Sequence, residues 1–124
     1  MMNREEILKF KQGLDVLNIY LSEKQYKQFG MFFDMLQEKN KVMNLTAITD
    51  GVEIVQKHFI DSLTIVKSHD MAEVENMIDI GTGAGFPGIP IKIAFPDVEV
   101  VLVDSLEKRV NFLNEVIDAL GLMK

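Results

Sequence analysis

Met77-Ile78-Asp79-Ile80-Gly81-Thr82-Gly83-Ala84-Gly85-Phe86-Pro87-Gly88 decides the reading of this chain. An apolar run carries an aspartate near its end, three glycines follow at alternate positions, and a helix start comes next. A backbone turning this sharply beneath a ligand needs residues without Cβ, because left-handed φ and close approach exclude most side chains. Such a turn is expected to aim the first N–H groups of the next helix at an anionic group. The stretch reads as a nucleotide-cofactor loop.

Downstream of the loop, Pro90 suits a first helical turn, where its missing N–H costs nothing. Pro96-Asp97 closes that helix, and Val98 to Val103 reads as a second strand. Leu106 to Leu120 reads as a helix stopped by Gly121, with Val110, Leu113, Val116, Ile117 and Leu120 facing inward. Upstream, Asn3 with Glu6 and Ser22 with Gln25 are capping-box pairs opening two helices. Their apolar faces are Ile7, Phe10, Leu14 and Leu17, then Phe29, Phe32, Phe33 and Leu36. Lys39 to Thr49 reads as a polar connection, and Asp50 with Glu53 starts a third helical stretch running to Val66. The order is a helical leader (residues 1–70) and then β-α-β-α (residues 71–124). That order predicts an α/β fold with a parallel sheet, the strand Met77–Ile80 being buried at its middle. A doubly wound fold has roughly five to seven strands, so two imply the front half of a longer protein. Otherwise the unpaired sheet edge must pair with a second copy or a partner.

At 124 residues and 48% hydrophobic, one ordinary core is expected. Cysteine is absent, which removes disulfides, thiolate metal sites and cysteine nucleophiles. No apolar run reaches the roughly 18 residues of a membrane span, and the polar start does not resemble an export signal. A cytoplasmic location is the default expectation. The net charge of −6 argues against a general nucleic-acid grip, but the acidity is uneven. Residues 1–62 carry a net of −1 and residues 63–124 a net of −5.

The loop has two overlapping registers. Gly83-x-Gly85-x-x-Gly88 fits the dinucleotide fingerprint of oxidoreductases. Asp79-x-Gly81-x-Gly83-x-Gly85 fits the pattern of S-adenosylmethionine-dependent methyltransferases. Asp104, ending the second strand, suits a ribose contact in both. Asp79 separates them: a carboxylate beside the pocket would repel a pyrophosphate and suit a sulfonium or an amino group. The methyltransferase register is therefore favoured.

Asp79-Ile80-Gly81-Thr82-Gly83-Ala84-Gly85-Phe86-Pro87-Gly88-Ile89-Pro90, followed by Val103-Asp104-Ser105-Leu106-Glu107-Lys108-Arg109, resembles the small-subunit ribosomal RNA guanine-N7 methyltransferase G family, also called glucose-inhibited division protein B. Lys41-Val42-Met43-Asn44-Leu45-Thr46 and Lys57-His58-Phe59-Ile60-Asp61-Ser62-Leu63 also resemble it. The resemblance implies a class I, Rossmann-like methyltransferase domain behind a helical leader, S-adenosylmethionine as cofactor, and a guanine of 16S ribosomal RNA, alone or in the small subunit, as substrate. It implies cofactor contacts at Gly81 and Phe86, turn-shaping roles for Gly83 and Gly85, and a ribose contact at Asp104. With Asp79, Thr82 and Ser105 these make the expected cofactor set. The family's later contacts have no counterpart before Lys124, so the chain alone is expected to be an incomplete, inactive portion. The alternative is a non-catalytic module that folds by association.

Guanine N7 carries a free lone pair, so the chemistry needs positioning and charge stabilisation rather than a base. No nucleophile or general base stands out. His58 and Asp61, at i and i+3 of one helix, form either a structural pair closing the leader over the sheet or part of a pocket wall. They are too few for a metal site. Asn44 and Thr46 are turn-and-cap residues or pocket residues. Lys108 and Arg109 form a solvated first helical turn or an RNA-phosphate contact.

Overall fold

In the computed structural model, which describes residues 1–43 and 50–122, both capping boxes close. Asn3 accepts from the Glu6 N–H at 2.8 Å and the Glu6 carboxylate accepts from the Asn3 N–H at 2.7 Å, opening α1 (Arg4–Val16). Ser22 and Gln25 repeat the exchange at 3.2 and 2.7 Å before α2 (Glu23–Met43). Phe10, Leu14 and Leu17 are buried as expected, whereas Ile7 sits on the exposed border of the stripe. Helix α2 runs through Lys39–Met43, where a polar connection was expected. Straight-chain lysines and glutamates cost a helix little, and Asn40 is buried. Asn44 and Thr46 lie outside the described residues.

The third helical stretch is not uniform. Asp50 caps it by accepting from the Val52 and Glu53 N–H groups. A turn of α3 (Gly51–Glu53) then passes into a π-helix (Ile54–Ile60), α4 (Asp61–Leu63) and a 3-10 turn (Thr64–Lys67). The Asp61 N–H reaches back to the Gln56 carbonyl, five residues earlier. Hydroxyls bond back along the same segment, Ser62 to the His58 carbonyl and Thr64 to that of Asp61, a habit that bends helices.

Phe59, on the π-helix, is the hub of the leader's core. Its ring lies 5.2 Å from Phe29, 5.6 Å from Phe32, 5.9 Å from Phe10 and 6.4 Å from Phe33. Phe32 and Phe59 reach the glycine loop through Phe86, at 5.5 and 6.2 Å.

Strands β1 (Asn76–Ile80) and β2 (Glu99–Val103) pair in parallel, Asp79 opposite Leu102 and Ile80 opposite Val103. Helix α5 (Gly88–Ala94) connects them and α6 (Glu107–Leu120) follows. Gly88 lies against Leu102, Val100 and Asp79, so close that a Cβ there would collide with Leu102. This face of the sheet is covered. The other is open, with Ile78 64%, Ile80 80%, Val101 49% and Val103 43% exposed. The expected burial of Met77–Ile80 therefore holds for one face only, because strand side chains alternate and α5 covers a single side.

The leader's main contacts are with α5 and α6, so it rests on the sheet's covering helices rather than on the strands. Gln25 donates to the Ile93 and Ala94 carbonyls at 2.9 and 3.2 Å, and Gln28 to the Leu120 carbonyl at 2.8 Å. These are the orphan acceptors at two helix ends. Gly121 ends α6 with φ +67°, as its position predicts. On α6 the buried residues are Phe112, Leu113, Val116 and Leu120, while Val110 is exposed.

Candidate functional site

Gly81 is the first residue past β1, and Asp79 is the strand's last-but-one residue. The backbone passes through Gly81, Gly83 and Gly85 with φ of +71°, +61° and +108°. A Cβ on Gly81 or Gly83 would meet none of the described residues within 4 Å. Their glycine requirement is thus conformational, and open space lies over them.

The loop's polar groups are turned inward. The Gly81 and Thr82 N–H groups donate to the Val103 carbonyl at 2.7 and 3.0 Å. Those of Gly85 and Phe86 donate to the Thr82 carbonyl at 3.0 and 3.1 Å. At the start of α5, Gly88 N–H goes to Asp79 Oδ2 at 2.9 Å, Ile89 N–H to Gly85, and Ile91 N–H to Pro87. Pro90 has none. The expected delivery of free helix N–H groups to an anion is therefore not what forms: the chain itself consumes these donors.

Asp79 and Asp104 do much of this work. Asp79 is buried, and its Oδ2 also accepts from the Thr82 hydroxyl at 2.6 Å. Its carboxylate ties the loop's first turn to the helix start, which has no side-chain cap of its own. The carboxylate expected to lie beside the pocket and suit a cationic group has this internal role as well. Asp104 accepts from Gly83 N–H at 2.9 Å and from Leu106 N–H at 3.0 Å, and its Oδ2 lies 3.6 Å from the Arg109 guanidinium. The Leu106 amide first, then the Gly83 amide, hold this carboxyl below the ordinary carboxylate range; Arg109 adds to them and desolvation opposes them. A carboxylate has about four lone-pair positions, so these partners leave room for a hydroxyl donor.

Arg109 thus belongs to the Asp104 network, whereas Lys108 is exposed on the first turn of α6 and Ser105 is exposed beside Asp104. Thr82 is buried beneath the loop.

On the other side of Phe86 the π-helix faces the loop. The His58 ring stacks on Phe86, with centroids 4.3 Å apart and planes 7° from parallel. Burial lowers the His58 pKa from its ordinary value, and the Asp61 charge opposes that shift. The residues lining the adjoining open cleft, about 420 Å³ in volume, include Lys57, His58, Asp61, Ser62, Phe86 and Pro87. So the structure brings His58, Asp61 and Phe86 to one place, at the loop's edge. Neither the stack nor the π-helix that produces it has a signal in the sequence; only the aromatic Phe86 and the ring at His58 hinted at it. Among the described residues no three His, Asp or Glu are grouped as metal ligands. No described helix is long and apolar enough to cross a membrane.

Comparison with known proteins favours a methyltransferase over an oxidoreductase. The family described as rRNA small subunit methyltransferase G matches residues 25–124. A protein of Lachnoclostridium phytofermentans named Ribosomal RNA small subunit methyltransferase G is 55% identical over 113 residues, covering 91% of this chain and 47% of that protein. Proteins of the same name from Clostridium perfringens strain 13 and Clostridium botulinum strain 657 are 50% and 54% identical, over 90% and 86% of this chain. The chain spans about half the length of the curated relatives it matches, 47%, 47% and 44% of these three. An oxidoreductase reading finds no support among them. With a family match over residues 25–124, most of its length, this chain belongs to the rRNA small subunit methyltransferase G family.

Proposed function

We propose that, at the length of its relatives, this protein transfers a methyl group from S-adenosylmethionine to N7 of a guanine in 16S ribosomal RNA. The present residues supply the glycine-loop part of the cofactor site in a class I methyltransferase domain. One observation carries the cofactor: the loop's N–H donors are used within the chain. A pyrophosphate would find few of them free, whereas S-adenosylmethionine brings no phosphate to be held.

The residues fit such a ligand. Open space over Gly81 and Gly83 admits its backbone approach, and Asp104 retains capacity for ribose hydroxyls. Phe86 and Ser105 complete the proposed contact set, while Asp79 and Thr82, joined by a hydrogen bond, shape the loop. When bound, the sulfonium supplies an activated methyl group. The N7 lone pair of the base would accept that methyl group without any proton being moved, so no residue of the chain would have to serve as a base. Positive charge passes to the base, so the chain's work is alignment and charge stabilisation. An RNA substrate also favours a cytoplasmic site of action.

A second reading concerns the open sheet face. Ile78, Ile80, Val101 and Val103 form a row of exposed apolar side chains on paired strands, which invites cover by further chain or by a second copy. Light scattering of the 124 residues alone distinguishes these, a dimer favouring self-association.

The activity is tested by incubating the relatives'-length protein with small ribosomal subunits and labelled S-adenosylmethionine, then mapping the modified base. Label at a guanine N7 of 16S RNA is the expected result. Label elsewhere, or none, would overturn the reading.

A further inference from the structure

The cleft beyond Phe86 has a composition that the cofactor role leaves unused. Its wall carries a face-to-face stack of two rings, His58 on Phe86 at 4.3 Å and 7°. Asp61 lines the same cleft with an exposed carboxylate, which accepts no hydrogen bond from any described residue. Lys57, also in the wall, is held by Glu53 at 3.0 Å, and the hydroxyls of Ser62 and Thr64 point back to helix carbonyls. The uncompensated charge is therefore the negative one on Asp61. Because Phe86 and Pro87 end the glycine loop, an occupant of this cleft lies next to whatever the loop holds.

We propose that this cleft holds the target purine and prefers its N7-methylated, cationic form, the ring extending the His58–Phe86 stack from its end and its charge beside Asp61. The inference rests on the guanine-N7 reading above. Methylation turns a neutral base into a delocalised cation, and two features then strengthen together. Aromatic faces attract a cation placed over them. The carboxylate attracts it as well, and can accept from the ring N–H and amino group of guanine. A site that favours the cationic product also favours the partly charged transition state, which is how binding becomes catalysis. The cleft's volume of about 420 Å³ accommodates a purine nucleoside. The lowered His58 pKa keeps that ring uncharged near neutrality, so it does not repel the cation.

Calorimetric titration of the relatives'-length protein, with S-adenosylhomocysteine present, compares 7-methylguanosine 5′-monophosphate with guanosine 5′-monophosphate. The methylated nucleotide should bind about three- to tenfold more tightly, the range expected of one cation–π contact and one partly screened charge pair. D61N should reduce that preference to the roughly two- to threefold left by the rings and D61E should restore it, with circular dichroism confirming that both variants fold. Equal affinities, a preference unchanged by D61N, or absence of binding by either nucleotide would overturn the proposal. So would displacement of the nucleotide by S-adenosylmethionine in direct competition, since the cleft would then belong to the cofactor. Should S-adenosylhomocysteine itself fail to bind while the preference persists, the cleft would stand and the transferase reading would fall.

Discussion

The two sides of Phe86 use carboxylates in opposite ways. On the loop side, Asp79 and Asp104 are spent on the chain's own N–H groups and on the Thr82 hydroxyl. On the cleft side, the Asp61 carboxylate stands exposed and accepts no hydrogen bond from the described residues. The contrast separates shape from offer. Acidic residues beside a glycine loop invite assignment as ligand contacts, yet here they chiefly hold the turn in the conformation that leaves Gly81 and Gly83 uncovered. The carboxylate that remains available lies one ring stack away, on a helix of the leader.

Breaking the loop side should have the largest effect. Asp79→Ala leaves the Thr82 hydroxyl and the Gly88 N–H buried without their acceptor, at about 1–3 kcal/mol each. Urea unfolding should register this loss, and Asp61→Ala, at an exposed position, should stay within about 0.5 kcal/mol of the parent. Equal effects would erase the distinction. Next come the glycines. Gly83→Ala should cost about 1–2 kcal/mol, because its φ of +61° is left-handed but its Cβ would meet open space. Gly85→Ala should cost more, since its Cβ would also come within 2.6 Å of Ile89 and 3.2 Å of Leu113. The reverse order, measured by thermal unfolding, would contradict the packing described.

Smaller effects appear with pH, and the two sides titrate in different windows. Asp104 has a folded pKa below its ordinary 3.8, so the stability it lends is present above that value and is lost as pH falls through the folded pKa. His58 is also lowered, from 6.5, but here the uncharged form is the one the fold prefers. Below 6.5 the unfolded chain binds the proton first, so stability declines with falling pH until the folded pKa is passed. Unfolding midpoints followed from pH 7.5 down should therefore bend first for His58. His58→Gln should remove that bend and leave the more acidic one. A bend that persists in His58→Gln would assign it to another group.

Much of this arrangement is written locally in the sequence. The pairs Asn3–Glu6 and Ser22–Gln25 announce their helices because a cap needs only residues three apart. Gly121 and the Gly81-first register are legible for the same reason, since left-handed turns select glycine. What escaped depends on partners distant in the chain. The inward turn of Asp79 requires Gly88 to lie against Leu102, and the latch on Gly83 requires β2 to deliver Asp104 beside it. The π-helix that carries His58 to Phe86 also places Phe59 among four other phenylalanines of the leader, contacts that lie far apart in sequence. The open face of the sheet was hidden because Met77–Ile80 is apolar at three of its four positions, whichever face is covered.

The most direct test of the loop is calorimetry on the relatives'-length protein with S-adenosylmethionine and, separately, NAD. A loop whose amides are already bonded within the chain should bind S-adenosylmethionine and show no heat with NAD. Preferential binding of NAD would mean that those amides are released to a pyrophosphate, and would contradict the cofactor assignment at its foundation.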